Sequence, residues 1–199
     1  MKSFLTRLIS GIVLLAIIIS TGIVGGPVLF GFTFLISLIG YWEFLKVFGL
    51  EKKLPGVCGL IFAVLYYGTV YLGDAFNMAG PLLLVGFLMV LMAIYVFTFP
   101  KFRTDEITAP FFGLVYVAVM LSFLYQTRMI PIEGRDTPIV YFLIFICSWG
   151  CDTCAYAVGM LIGKHKMAPI LSPKKSIEGG IGGIVGAALL GAIYGMIFD

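Results

Sequence analysis

Charge is what this chain of 199 residues has least of: Asp, Glu, Lys and Arg together make up 12% of it, against about 25% in an ordinary soluble domain. That deficit excludes a sizeable water-soluble domain, because the few charges fall in short breaks between long apolar runs. The alternating polarity that a lipid-facing barrel strand requires is also missing. With 61% of the residues hydrophobic, helices remain as the one way to satisfy the backbone inside hydrocarbon. No internal repeat, low-complexity tract or inverted pair of interrupted helices is visible. Lys2 and Arg7 precede the first apolar run as they would in a signal peptide, yet no small-x-small cleavage site follows, so that run is read as a retained helix. The net charge of +3 reflects topology, and no nucleic-acid partner is expected.

Seven apolar runs of spanning length can be drawn: Leu8 to Val24, Pro27 to Phe48, Pro55 to Gly73, Met78 to Phe99, Ala109 to Thr127, Pro138 to Gly163 and Gly179 to Phe198. They predict an all-α fold, a polytopic transmembrane bundle forming one domain over residues 1–199. The breaks carry turn chemistry at Gly25-Gly26-Pro27, at Glu51 to Gly56, at Asp74 to Asn77 and at Pro131 to Pro138. The first break is so short that the two runs flanking it are expected to form a tight hairpin. With the amino terminus in the cytoplasm and sides alternating, eleven of the thirteen basic residues face inward: Lys2, Arg7, Lys46, Lys52, Lys53, Lys101, Arg103, Lys164, Lys166, Lys174 and Lys175. Only Arg128 and Arg135 face outward, which is the positive-inside bias of a membrane protein.

Three of the four cysteines, Cys147, Cys151 and Cys154, share one helix face. Metal binding would need a nearby His, and there is none, so packing as small apolar residues is the favoured reading. Asp152 is the one acid placed well inside a run. An ionised carboxylate is expensive there and marks a functional candidate, for a metal or for a lysine, with a hydrogen bond to a neighbouring helix as the structural alternative. Ser148, Asp152, Tyr156, Gly159 and Gly163 line one side of that run and lead toward the next break.

That break, Lys164 to Ser176, is the densest polar stretch in the chain. It holds Lys164, Lys166, Lys174 and Lys175, with Pro169 and Pro173 restricting the backbone. Ser176 is placed to cap the following helix, whose open N–H groups and positive end, together with Lys174 and Lys175, could seat a phosphate chain. An ordinary basic loop touching lipid heads is the competing reading. Glu178 could bind Mg2+, orient a lysine, or merely balance charge at the helix start. Beyond it Gly179, Gly183, Ala187, Gly191 and Gly195 recur every fourth residue as a packing face, for another helix or for a homodimer contact.

The segments Cys151-Asp152-Thr153-Cys154-Ala155-Tyr156-Ala157-Val158-Gly159, Gly163-Lys164-His165-Lys166-Met167-Ala168-Pro169 and Ser172-Pro173-Lys174-Lys175-Ser176-Ile177-Glu178-Gly179 resemble the bacterial phosphatidate cytidylyltransferases. Arg7 with Gly11, and Trp42-Glu43-Phe44, are similar to early features of that family. Cys154 and Met160 stand where it has a Gly and a basic residue. The resemblance implies a bacterial plasma-membrane enzyme that joins CTP to phosphatidic acid, giving CDP-diacylglycerol and pyrophosphate, with Mg2+ required. It implies catalytic roles for Asp152, Lys174, Lys175 and Glu178 and substrate binding by Lys164, Lys166, Ser172, Lys174, Lys175 and Ser176, with Asp152 and Glu178 as candidate metal ligands. The family's further carboxy-terminal signature, rich in Lys, Gly and Asp, has no counterpart before Asp199. These residues are therefore expected to resemble the amino-terminal two thirds of the enzyme, to lack its main metal ligands and to turn over little substrate alone. A noncatalytic membrane scaffold and a small-solute or anion transporter are the rival readings.

Overall fold

The computed structural model describes residues 2–73, 78–132 and 138–198. The turns read at 74–77 and 133–137, Arg135 among them, lie outside the described residues, as do the side chains of Lys2 and Arg7. Two compact units are distinguished, Met1–Ile130 and Pro131–Asp199.

The first unit holds α1 (Lys2–Val24), α2 (Gly26–Val47), α3 (Leu54–Leu72), α4 (Ala79–Thr98), α5 (Thr104–Gly113) and α6 (Met120–Met129), the last two joined by a π-helical stretch, Leu114–Val119, into one rod. The second holds α7 (Ile139–Ile162), strands β1 (Lys166–Ala168) and β2 (Ser172–Ser176), and α8 (Ile177–Phe198). Six of the resulting rods are long and apolar enough to cross a membrane, and Leu8–Val24 is a shorter apolar helix. The protein is a polytopic all-α membrane bundle, with one small antiparallel hairpin where the sequence suggested only a loop.

Polar contacts fix the first unit from within. Tyr41 is fully buried and donates its hydroxyl to the Pro110 carbonyl at 2.7 Å. Ser37 and Tyr67 share a hydrogen bond, and Tyr67 also reaches the Thr33 carbonyl at 3.3 Å. In hydrocarbon the area term that drives soluble folding is lost, so close packing and such interhelical hydrogen bonds carry the association. Small residues allow the approach: a Cβ at Gly59 would stand 2.0 Å from the Tyr41 hydroxyl, and one at Gly113 2.4 Å from the Phe44 ring and 2.9 Å from that of Tyr41. Pro110 lies inside α5 and gives no N–H to the ladder; the π-helical stretch begins at Leu114, one turn further on.

The α5–α6 rod begins at Thr104, five residues before the apolar run suggested. Hydropathy stops at charges, whereas the helix continues past them because Glu106 accepts the Arg103 N–H at 3.0 Å and pairs with Lys53. The same pair puts the α2–α3 and α4–α5 connections at one end of the unit, as alternating spans demand. At the other end Arg128, only 3% exposed, donates to the Gly22 carbonyl at 2.7 Å and to that of Ile23 at 3.3 Å. A cation there satisfies the carbonyls at the end of α1. Gly25 makes room for it: φ is +62°, and a Cβ would lie 3.0 Å from the guanidinium. The expected tight hairpin closes only at this turn. A one-residue connection cannot lay two helices side by side, and α1 is largely exposed from Leu8 to Ser20.

Two outcomes follow for purified protein in detergent. Arg128→Ala should leave buried carbonyls without a donor and cost about 1–3 kcal/mol, read as a lower unfolding midpoint. Gly113→Leu should overpack Phe44 and Tyr41 by a similar ~1–3 kcal/mol, with Gly11→Leu, where nothing lies within 4 Å, as the neutral control.

Candidate functional site

Helices α7 and α8 run antiparallel with their backbones in near contact, and the glycine face of α8 is the reason. A Cβ on Gly179 would sit 2.8 Å from the Ala155 carbonyl, and one on Gly183 2.9 Å from that of Cys151. Gly182 meets Val158, Gly186 meets Cys154, and Gly191 meets Cys147. At the far end Tyr194 donates to the Ile139 carbonyl at 3.2 Å. From Gly179 to Gly191 this face of α8 is therefore filled by α7 and is not open to a second copy of the chain. The three cysteines of α7 are free and spread along the seam, each opposite its own glycine, so they pack and do not converge.

Close approach of the helices brings their ends together and closes the connection as a hairpin. Strand β1 pairs with β2 in antiparallel register, Lys166 opposite Ser176 and Ala168 opposite Ser172. Between these pairs β1 has one residue, Met167, and β2 has three, Pro173, Lys174 and Lys175. Pro173 cannot donate to a ladder, and a bulge is where a strand tolerates it. The bulge carries Lys174 and Lys175, both exposed, on the same hairpin as exposed Lys166, with exposed Lys164 leading into it. Ser172 is half-buried at the tip end of β2.

The base of the hairpin is pinned by two residues. Ser176 is buried and accepts the Gly179 N–H at 3.2 Å, an N-cap. It fits because Gly159 and Gly163 face it: a Cβ on Gly163 would be 2.5 Å from its Oγ. Glu178 folds back over the end of α7. Its carboxylate accepts the Lys164 N–H and the His165 N–H, each at 3.2 Å, and bonds His165 Nδ1 at 2.6 Å. The Ile177 N–H is taken by the His165 carbonyl at 2.9 Å. The helix start was expected to offer open N–H groups to a phosphate. Those of Ile177 and Gly179 are already bonded within the chain, which leaves the lysines as the anion-seeking groups. His165 is part of the clamp as well, and no local pattern signals a pairing that spans thirteen residues across a hairpin.

Asp152 stands apart. Gly159 lies against Gly179, and Asp152 is seven residues down α7, about 10 Å at 1.5 Å per residue. The carboxylate of Glu178 points the other way, toward the start of the hairpin. The pair cannot hold one cation between them, and among the described residues no group of three or more His, Cys, Asp or Glu is placed to bind a metal. The polar stripe read on α7 divides in the same way: Ser148, Asp152 and Tyr156 are exposed, while Gly159 and Gly163 turn inward to Ser176. Asp152 has no hydrogen-bond or ion-pair partner among the described residues.

Comparison with known proteins bears on the whole chain. The phosphatidate cytidylyltransferase of Staphylococcus epidermidis is 32% identical over 196 residues, which cover 97% of this chain and 72% of that protein. Its namesake in Staphylococcus saprophyticus is 27% identical over 193 residues, 96% of this chain and 72% of the relative. That of Staphylococcus haemolyticus is 28% identical over 180 residues, 90% and 67% respectively. A model of the cytidylyltransferase family matches residues 5–199, a span that takes in the helical bundle, the lysine hairpin and its glycine seam, and the chain belongs to that family.

Proposed function

We propose that the chain acts as a phosphatidate cytidylyltransferase of a bacterial plasma membrane, transferring the cytidylyl group of CTP to phosphatidic acid and releasing pyrophosphate. The observation that carries this reading, beside family membership, is the pinned hairpin: Lys164, Lys166, Lys174 and Lys175 gather at the mouth of two membrane-length helices, with Glu178 and Ser176 holding its base. A lipid phosphate must be met at such a level, and a soluble triphosphate can reach it.

In the proposed reaction a phosphate oxygen of phosphatidic acid attacks the α-phosphorus of CTP. The bond from that phosphorus to the oxygen bridging to the β-phosphate breaks, and pyrophosphate leaves with the electron pair. The nucleophile is already anionic, so no strong base is needed, and rate comes from in-line positioning and from cations aimed at the departing charge. Lys174 and Lys175 suit that task, with Lys164 and Lys166 drawing phosphate to the hairpin and Ser172 as a further hydroxyl donor. Glu178 acts as a positioning residue through the backbone of Lys164 and His165. Asp152, exposed and without a partner among the described residues, is the remaining candidate. Mg2+ belongs to the proposal as the ion accompanying the triphosphate; the two carboxylates are too far apart to share it. The lysine side faces the cytoplasm, and a homodimer would use surfaces other than the glycine face.

CTP binding and CDP-diacylglycerol formation by the purified chain test the reading. Movement of solute across vesicles without CTP consumption would favour a transporter, and a chain that binds neither nucleotide nor lipid phosphate would be a scaffold. Replacing Lys174 and Lys175 together by Ala should weaken CTP binding about tenfold or more, since each charge-assisted hydrogen bond is worth ~1.5–3 kcal/mol; unchanged affinity would remove the hairpin from the nucleotide site. Glu178→Ala should speed amide exchange at Lys164 and His165 and weaken CTP binding by up to about tenfold. Glu178→Gln, which keeps an acceptor oxygen, should retain most of the protection.

A further inference from the structure

The tip of the hairpin has no role in the clamp beneath it. Ile170 and Leu171 are 101% and 91% exposed, the two barest large apolar side chains among the described residues. Two adjacent branched aliphatics held in water at the end of a turn are unfavourable, and here they crown a stem whose charge is of one sign. From Lys164 to Ile177 there are four lysines and no acid. The nearest carboxylate, Glu178, is spent on His165 and on backbone N–H groups.

Position narrows the occupant. The hairpin leaves from the ends of α7 and α8, which are both of membrane-spanning length. The apolar surface of those ends is itself bare: Met160, Leu161 and Ile162 on the last turn of α7, and Ile177 and Ile181 at the start of α8, are all exposed. A strand of three residues reaches about 10 Å, whereas the headgroup layer adds only ~5–8 Å to each side of the hydrocarbon. A hairpin standing upright would carry its tip clear of the lipid. Met167 ties this one to α8, its terminal methyl lying over the first turn so closely that a Cβ on Gly180 would be 2.5 Å from it.

We propose that the tip Pro169-Ile170-Leu171 is an interfacial anchor, inserted at the headgroup–acyl boundary of an anionic bilayer, with Lys164 and Lys166 facing lipid phosphates beside it. An apolar wedge flanked by lysines is the combination that binds anionic membrane surfaces, the wedge by area and the lysines by the surface potential. The inference is independent of what nucleotide the stem binds. It assigns the hairpin a second task, that of holding its stem at the depth of the lipid heads.

The test uses the full chain in vesicles. With Trp42→Phe and Trp149→Phe as background, Ile170→Trp supplies a single reporter at a position that touches nothing, so folding is not at stake there. In vesicles of phosphatidylglycerol and phosphatidylcholine its emission should shift to the blue, escape iodide, and be quenched by phospholipids brominated high on the acyl chain. In phosphatidylcholine alone the quenching should fall severalfold; equal quenching would overturn the part given to the lysines. Water-like emission open to iodide in both membranes would overturn the anchor. So would shielding without bromine quenching, whether it depends on protein density, as for a second copy, or does not, as for another part of the chain. A measurement on the unaltered chain guards against a failed background: a phospholipid carrying a carbene precursor near the carbonyl end of its acyl chain should label Ile170 and Leu171. Labelling of Leu161 and Ile162 with none at the tip would overturn the proposal.

Discussion

The distance between α7 and α8 is the constraint on which the second unit depends. Glycines along α8 let its backbone lie against carbonyls of α7, at Gly179 against Ala155 and at Gly183 against Cys151. Without a hydrophobic drive between helices in lipid, that close approach is a main source of their cohesion. It also sets where the two helix ends arrive. Only because Gly159 and Gly163 stand next to Ser176 can one serine cap α8 while buried against α7, and only then do Lys166 and Ser176 fall opposite one another as a strand pair. A larger side chain anywhere in the first turn of the seam would be felt at the lysines through geometry, without touching them.

The first unit is held on another principle. Its core carries hydroxyls and an arginine inside hydrocarbon-facing helices, and each is used: Tyr41 on Pro110, Tyr67 on Ser37, Arg128 on the end of α1. Hydrogen bonds specify direction where glycine contacts specify only distance. Such a network suits a scaffold of several rods meeting at different heights, and the glycine seam suits a single hairpin whose strands must be kept in register.

How much of this was legible in the sequence depends on the range of the interaction. The helical rods were, because a run of apolar residues reports its own solvent, and the positions of Cys147, Cys151 and Cys154 on one face followed from helical period alone. The beginning of α5 was not, since its first turn lies among charges and is secured by Lys53, some fifty residues away. The cap at Ser176 was legible as a local pattern. The clamp of Glu178 on His165 was not, for it exists only once a hairpin with an irregular register has formed. The same holds for the open N–H groups expected at the start of α8: spacing shows which donors a helix leaves free, and only the folded loop shows which acceptors reach them first. Asp152 was legible as an anomaly, and it remains one after folding, exposed on a span.

The placement of Glu178 explains how an acid can sit in a site read as anion-binding without cancelling it. A carboxylate beside lysines would ordinarily pair with them and neutralise the potential that draws a phosphate. Here its acceptor capacity is directed at two backbone N–H groups and an imidazole nitrogen, and among the described residues Lys164, Lys166, Lys174 and Lys175 have no ion-pair partner. The acid sits at the positive end of α8, where a negative charge is favoured, and fixes the hairpin by its main chain. Charge that would be lost in a salt bridge is thereby kept on the four lysines. Because the main chain does the holding, their side chains stay free to follow phosphate oxygens, and the stiffness of the hairpin base decides how little entropy that costs.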